Sequence, residues 1–176
     1  MKLLELSSNM SSFKPVKFRD KGISLIVAIR ESDDSKKTYN SVGKSLLLYL
    51  VHFCLGSNVS EDFEQKLSGW VFYLRFRVGE EEYKLTRSVN DKQSAILNDE
   101  SITLSTLKSR LEKLVFQIPA NSKFITFRSL IPRFIRGRKG SYVAYDRFID
   151  EENKNPVMQL VNNSLLLGLD IQKALR

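Results

Sequence analysis

The sequence predicts an α/β fold: a mixed sheet with an antiparallel β meander, flanking helices, and a phosphate-binding loop between a strand and a helix. Three observations predict it. Residues 22–29 (GISLIVAI) form a nearly continuous aliphatic run, the pattern of a strand covered on both faces. Gly43-Lys44-Ser45 leads directly into the apolar stretch 46–55, which Gly56 ends. Residues 70–78 and 81–89 alternate apolar with polar, and Gly79-Glu80 between them has the chemistry of a hairpin turn.

The remaining elements follow in order. Residues 2–7 and 13–18 read as short strands separated by the turn-forming Ser8-Asn9-Met10-Ser11-Ser12. Residues 30–38 are polar and without apolar periodicity. Residues 94–97 read as a short edge strand. From Ser105, taken as the cap, Leu107, Leu111, Leu114 and Val115 share one face of a helix. A second helical stretch covers 127–135 and contains Pro132, followed by a turn at 137–140. Residues 151–155 read as loop and 156–169 as a final apolar helix. No repeat or low-complexity linker divides the chain, so residues 1–176 read as one lobe.

With 42% hydrophobic and 27% charged residues the composition is that of a water-soluble globular protein. No apolar run approaches the ~20 residues that cross a bilayer, which argues against a membrane partner. Glu5 interrupts the place where a signal peptide needs apolar continuity. The one cysteine, Cys54, lies in the apolar stretch and reads as a core residue of a cytoplasmic protein. The formal charge of +8 is local in origin: residues 123–147 hold seven Lys/Arg against one acid.

A Walker A loop, G-x-x-x-x-G-K-[ST], cradles phosphates with backbone N–H groups and a helix N-terminus. Its lysine reaches the β/γ oxygens and its hydroxyl ligates Mg²⁺. Asn40, Ser41, Val42, Gly43, Lys44, Ser45 and Leu46 supply the end of that pattern, with ATP as ligand and Ser45 as the Mg²⁺ ligand. Two departures stand out. Thr38 occupies the first glycine position, and residues 30–37 separate strand from loop more widely than usual.

Residues 22–27, then Asn40-Ser41-Val42-Gly43-Lys44-Ser45 and Leu46-Leu47-Leu48, resemble the G-x-N-x-I-x-G-x-N-G-x-G-K-S of SMC-like and DNA-repair ATPase heads. Residues 38–56, 127–136 and 165–170 look like a bacterial group of coiled-coil ATPases, some of them encoded beside anti-phage defence genes. The resemblance implies the N-terminal lobe of an ABC/SMC-type P-loop head. It further implies a C-terminal ATPase lobe joined through a coiled coil that begins where this chain ends, and a second head as partner. Hydrolysis would need both, in a role in DNA metabolism or phage defence.

Other motifs carry less. Leu67-Ser68-Gly69 mimics the start of a signature motif, but a signature opens a helix and here a strand follows. Residues 165–170 (LLLGLD) fit the final helix better than a Walker B strand. His52 and the aromatics Phe72, Tyr73 and Phe76 read as packing residues. Arg128, Arg133, Arg136, Arg138 and Lys139 interleave with Phe127, Phe134 and Tyr142. They are candidate contacts for a DNA backbone, and equally a solvated face or a surface toward a second lobe. Two further readings stay open. One is a small P-loop phosphotransferase whose own acid is Asp62, Asp99, Asp146 or Asp150. The other is a non-catalytic DNA- or partner-binding module.

Overall fold

The computed structural model describes residues 1–26, 44–118, 122, 125–135, 156–169 and 171, with Lys44 described through its backbone alone. The chain divides into two compact units, Met1–Leu107 and Lys108–Arg176. In order, the first holds β1 (Lys2–Ser8), β2 (Val16–Lys17), α1 (Lys44–Cys54), α2 (Glu61–Lys66), β3 (Val71–Val78), β4 (Glu81–Ser88), β5 (Ser94–Leu97) and β6 (Glu100–Thr103). α3 (Leu104–Leu111) spans the division. The second unit adds α4 (Phe127–Leu130) and α5 (Pro156–Leu166).

The fold is α/β, with one six-stranded sheet in the order β2-β1-β3-β4-β5-β6. Every pairing among the described residues is antiparallel, which corrects the mixed sheet expected from sequence. Tight turns join β3 to β4 and β5 to β6, and antiparallel neighbours need no crossover. β3 and β4 stay in register from Val71↔Ser88 to Val78↔Glu81. Gly79, at φ +59, is the one positive-φ residue of their two-residue loop, as a type II′ turn requires.

β1 solves a spacing problem. Leu3 lies opposite Phe76 and Leu6 opposite Leu74, although residues three apart face opposite ways in a regular strand. A bulge at Leu4 absorbs the extra residue and brings both leucines to one face. The Leu4 carbonyl accepts from the Phe18 N–H at 2.9 Å.

Residues 94–97 form a strand as expected, but β6 lies beyond it and is the true edge. The turn between them, Asn98-Asp99, holds both residues at positive φ (48 and 69), the type I′ geometry that asparagine and aspartate tolerate. The Asn98 side chain extends the ladder: its Oδ1 accepts from the Lys84 N–H at 2.8 Å.

The inward face of the sheet carries Leu6, Phe72, Leu74, Phe76, Leu85, Val89, Ala95, Leu97 and Ile102, all buried. α1 lies against β3 and β4 with Leu47, Leu50, Val51, Phe53, Cys54 and Leu55 buried. Phe53 meets Phe72 edge-on at 6.0 Å, and Phe63 of α2 sits 5.5 Å from Phe53 and 5.0 Å from Tyr49. α2 was not foreseen. Ser60 caps it by accepting from Phe63 N–H, and Glu61, Asp62 and Glu64 place negative charge at the positive end of its dipole. α1 ends at Gly56 in a Schellman turn: Gly56 N–H donates to Phe53 O and Ser57 N–H to His52 O, both at 3.0 Å.

The strand expected at 22–29 is not formed over its described part. Residues 22–26 belong to no strand, and Ile23 and Leu25 are 83% and 81% exposed. Gly22 turns the chain at φ +79 and Ser24 Oγ accepts from Arg19 N–H, so local bonding replaces a ladder partner. Residues 27–29 and the polar segment 30–38 lie outside the described residues.

α3 begins two residues earlier than expected. Thr103, not Ser105, caps it, its Oγ1 accepting from Thr106 N–H at 3.1 Å. The helix continues as a π turn over Glu112–Phe116 and stops at Gln117 in the left-handed region. In the second unit, Thr126 and Ser129 form a capping box on α4, and Glu112 Oε1 accepts from Phe127 N–H at 3.1 Å. Ile125, Leu130, Val161 and Ile171 make this unit's core, with Phe116, Ile118, Leu165 and Leu166 against it. Gly168 closes α5 with a second Schellman turn.

Two outcomes follow from this packing. Burial pushes the Cys54 thiol from 9.0 up to about 12, so the fold holds it protonated. Its contribution is complete below pH 9 and is lost as pH rises from 9 toward 12. Native protein at pH 8 is therefore expected to resist Ellman's reagent and to react in urea. Cys54→Ala should flatten the alkaline fall of the urea midpoint. At the β5–β6 turn, Asp99→Gly relieves a left-handed aspartate and should stabilise the fold by roughly 0.5 kcal/mol, whereas Asp99→Val should destabilise it; urea titration reads both.

Candidate functional site

The candidate site is the start of α1. A helix leaves its first four N–H groups without intrahelical partners and carries a partial positive charge there. α1 begins at Lys44, directly after Gly43, and has no acidic residue in its first turn to neutralise that end. Ser45 and Leu46 are exposed, while Leu47, Leu50 and Val51 turn inward. The N-terminal turn thus presents one side to solvent and anchors the other. Asn40, Ser41, Val42 and Gly43 lie outside the described residues, as does the Lys44 side chain.

The setting of α1 differs from the expected one. The helix rests on an antiparallel hairpin, and the described part of the run at 22–29 is not a strand. The far end of α1 meets a buried charge that belongs to no motif. Arg87 on β4 is only 2% exposed. Its Nη1 donates to the carbonyls of Phe53 and Ser57, the latter at 3.0 Å, and its guanidinium lies 4.2 Å from the centre of the Phe53 ring. The positive charge therefore sits at the negative end of the α1 dipole, where it meets the Phe53 carbonyl of the last turn and the Ser57 carbonyl just beyond the helix. Its signal was present: Leu85, Arg87 and Val89 alternate along β4, so Arg87 had to face inward.

The other sequence candidates separate cleanly. Leu67-Ser68-Gly69 follows α2 and precedes β3, so a strand comes after it, as expected. Asn9 Nδ2 donates to Gly69 O at 3.1 Å and Asn90 Oδ1 accepts from Gly69 N–H at 2.8 Å, so the segment is a braced turn. Phe72 and Phe76 are buried, and Tyr73 is half-buried beneath Lys84, 5.7 Å from its ring centre. His52 is half-buried on α1. Of the acids considered for a phosphotransferase, Asp62 pairs with Lys66 at 2.9 Å on the surface and Asp99 occupies the β5–β6 turn. Asp146 and Asp150 lie outside the described residues. Among the described residues no group of three His, Cys, Asp or Glu is placed to hold a metal ion, and no helix is long and apolar enough to cross a membrane.

The basic window is represented by two arginines. Arg133 is half-buried and its Nε donates to Asn163 Oδ1 of α5 at 3.1 Å. Arg128 is half-buried too, and desolvation holds its pKa below the ordinary guanidinium value. Phe127 is buried 5.7 Å from Phe116 and belongs to the core, whereas Phe134 is 62% exposed. Arg136, Arg138, Lys139 and Tyr142 lie outside the described residues.

No family model, curated protein or solved structure matches the chain.

The Arg133–Asn163 bond joins the helical segment after α4 to α5. A double-mutant cycle of Arg133→Ala and Asn163→Ala, read by urea unfolding, is expected to give a coupling of about 1 kcal/mol.

Proposed function

We propose that this chain binds ATP with Mg²⁺ through Asn40, Ser41, Val42, Gly43, Lys44, Ser45 and Leu46, as the nucleotide-binding half of an SMC-like ATPase head. The observation that carries the reading is the start of α1: the helix opens at the lysine of G-K-S, without an acid in its first turn, and with Ser45 turned to solvent. An anion placed there meets N–H groups that have no acceptor within the helix, and the positive end of the dipole. In the proposed roles, Lys44 takes the β/γ oxygens and Ser45 ligates Mg²⁺. A C-terminal ATPase lobe and a second head complete the site, and DNA is the proposed substrate of the assembly.

The phosphotransferase alternative needs an acid of this chain beside the phosphates. Asp62 pairs with Lys66 and Asp99 occupies the β5–β6 turn, so nothing described favours it. Phosphate contacts alone position the nucleotide; hydrolysis also needs a group that orients water and charge beyond the γ-phosphate.

Lys44→Ala is expected to weaken ATP binding by at least about tenfold in calorimetry, the worth of a charge-assisted bond, with an unchanged circular dichroism spectrum. Ser45→Ala should remove most of the Mg²⁺ dependence. Unchanged ATP affinity in Lys44→Ala would sink the reading. Rapid Lys44-dependent turnover by the chain alone would instead favour the phosphotransferase.

A further inference from the structure

We propose that Arg87 is a positioning residue for the nucleotide loop: by clasping the last turn of α1 it fixes where the first turn, at Lys44 and Ser45, stands relative to the sheet. The proposal rests on the ATP-binding reading above.

The argument starts from cost. A guanidinium buried on the inner face of a sheet loses hydration that its new contacts only partly replace, and an apolar side chain of similar volume is often as stable or more so. Stability alone therefore gives weak reason for Arg87. Direction gives a stronger one. The apolar contacts of Leu50, Phe53 and Leu55 hold α1 against β3 and β4, but dispersion contacts have little preference for one axial setting over a nearby one. Two hydrogen bonds from one planar group to the Phe53 and Ser57 carbonyls are directional. The Phe53 ring at 4.2 Å constrains the guanidinium from a third side.

The clasp sits at one end of the helix and the candidate site at the other. α1 has 11 residues, so its ends lie about 16 Å apart at 1.5 Å per residue. A hydrogen-bonded helix is stiff over that length, and a slide or rotation permitted at the last turn reaches the first undiminished. Phosphate contacts are short and directional, so they weaken when their donors shift. Arg87 itself lies too far along α1 to touch the nucleotide, and so acts through the helix.

The test compares wild type with Arg87→Met, Arg87→Lys and Lys44→Ala. Urea unfolding measures stability, calorimetry measures Mg·ATP affinity, and hydrogen exchange without nucleotide follows the amides of Leu48, Tyr49 and Leu50, the first with partners inside α1. Arg87→Met is expected to keep its unfolding midpoint near that of wild type, to bind Mg·ATP about tenfold more weakly, and to exchange those three amides faster. Arg87→Lys keeps the charge but is one bond shorter and lacks the planar group that lies over the Phe53 ring, and should fall between the two. If Arg87→Met fails to fold, Arg87→Lys carries the same comparison. ATP affinity and amide exchange like wild type in a folded Arg87 variant, with Lys44→Ala still defective, would overturn the positioning role alone. No ATP binding by wild type would overturn the nucleotide reading and this proposal with it.

Discussion

The unbroken register between β3 and β4 is the constraint on which the first unit depends. It sets Phe72 opposite Arg87 and Leu74 opposite Leu85, and so decides what α1 rests on. Side chains alternate with a period of two, so a slip of one residue on either strand would turn its whole inner set outward. Arg75 and Lys84 would then enter the core, and the Arg87 guanidinium would leave the carbonyls of α1. Gly79 protects the register from one end through its turn. Asn9 and Asn90 protect the other by bracing Gly69, and Asn9 Oδ1 also accepts from Val71 N–H at 2.8 Å.

Elements with a local cause were legible in the sequence. The β3–β4 hairpin announced itself by alternation and a glycine turn, and α1 and α5 by apolar runs, the first of them stopping at Gly56. Elements that depend on distant partners were not. Residues 22–26 have the composition of a buried strand, yet β-branched side chains make a strand only where a neighbouring edge receives them. β6 was missed because its turn uses Asn98-Asp99 in place of the asparagine–glycine pair that usually signals a type I′ loop. α2 is six residues long, too short for periodicity, and Ser60 was its one clear signal.

The candidate site was legible in part. That a helix begins at Lys44 could be read from Gly43-Lys44-Ser45 and the apolar run behind it. That this helix would rest on the β3–β4 hairpin could not, since contacts between residues far apart in the chain decide which strands a helix covers. The basic window illustrates the limit of charge counting: of its arginines, Arg128 and Arg133 are half-buried and Arg133 bonds Asn163. A side chain with a long apolar stem serves packing and charge together, and sequence reports only the charge.

The bulge at Leu4 and the brevity of β2 bear on how the sheet meets other molecules. Among the described residues the outer strands are β2, two residues long, and β6, four residues long. An incoming strand would find few consecutive N–H and C=O groups to zip onto, and the bulge adds local twist beside the β2 edge. Growth of this sheet by strand addition, whether into a functional complex or into an aggregate, is therefore disfavoured at both borders. Association through the outermost described strands would then rest on side chains more than on backbone pairing, and specificity would be set residue by residue.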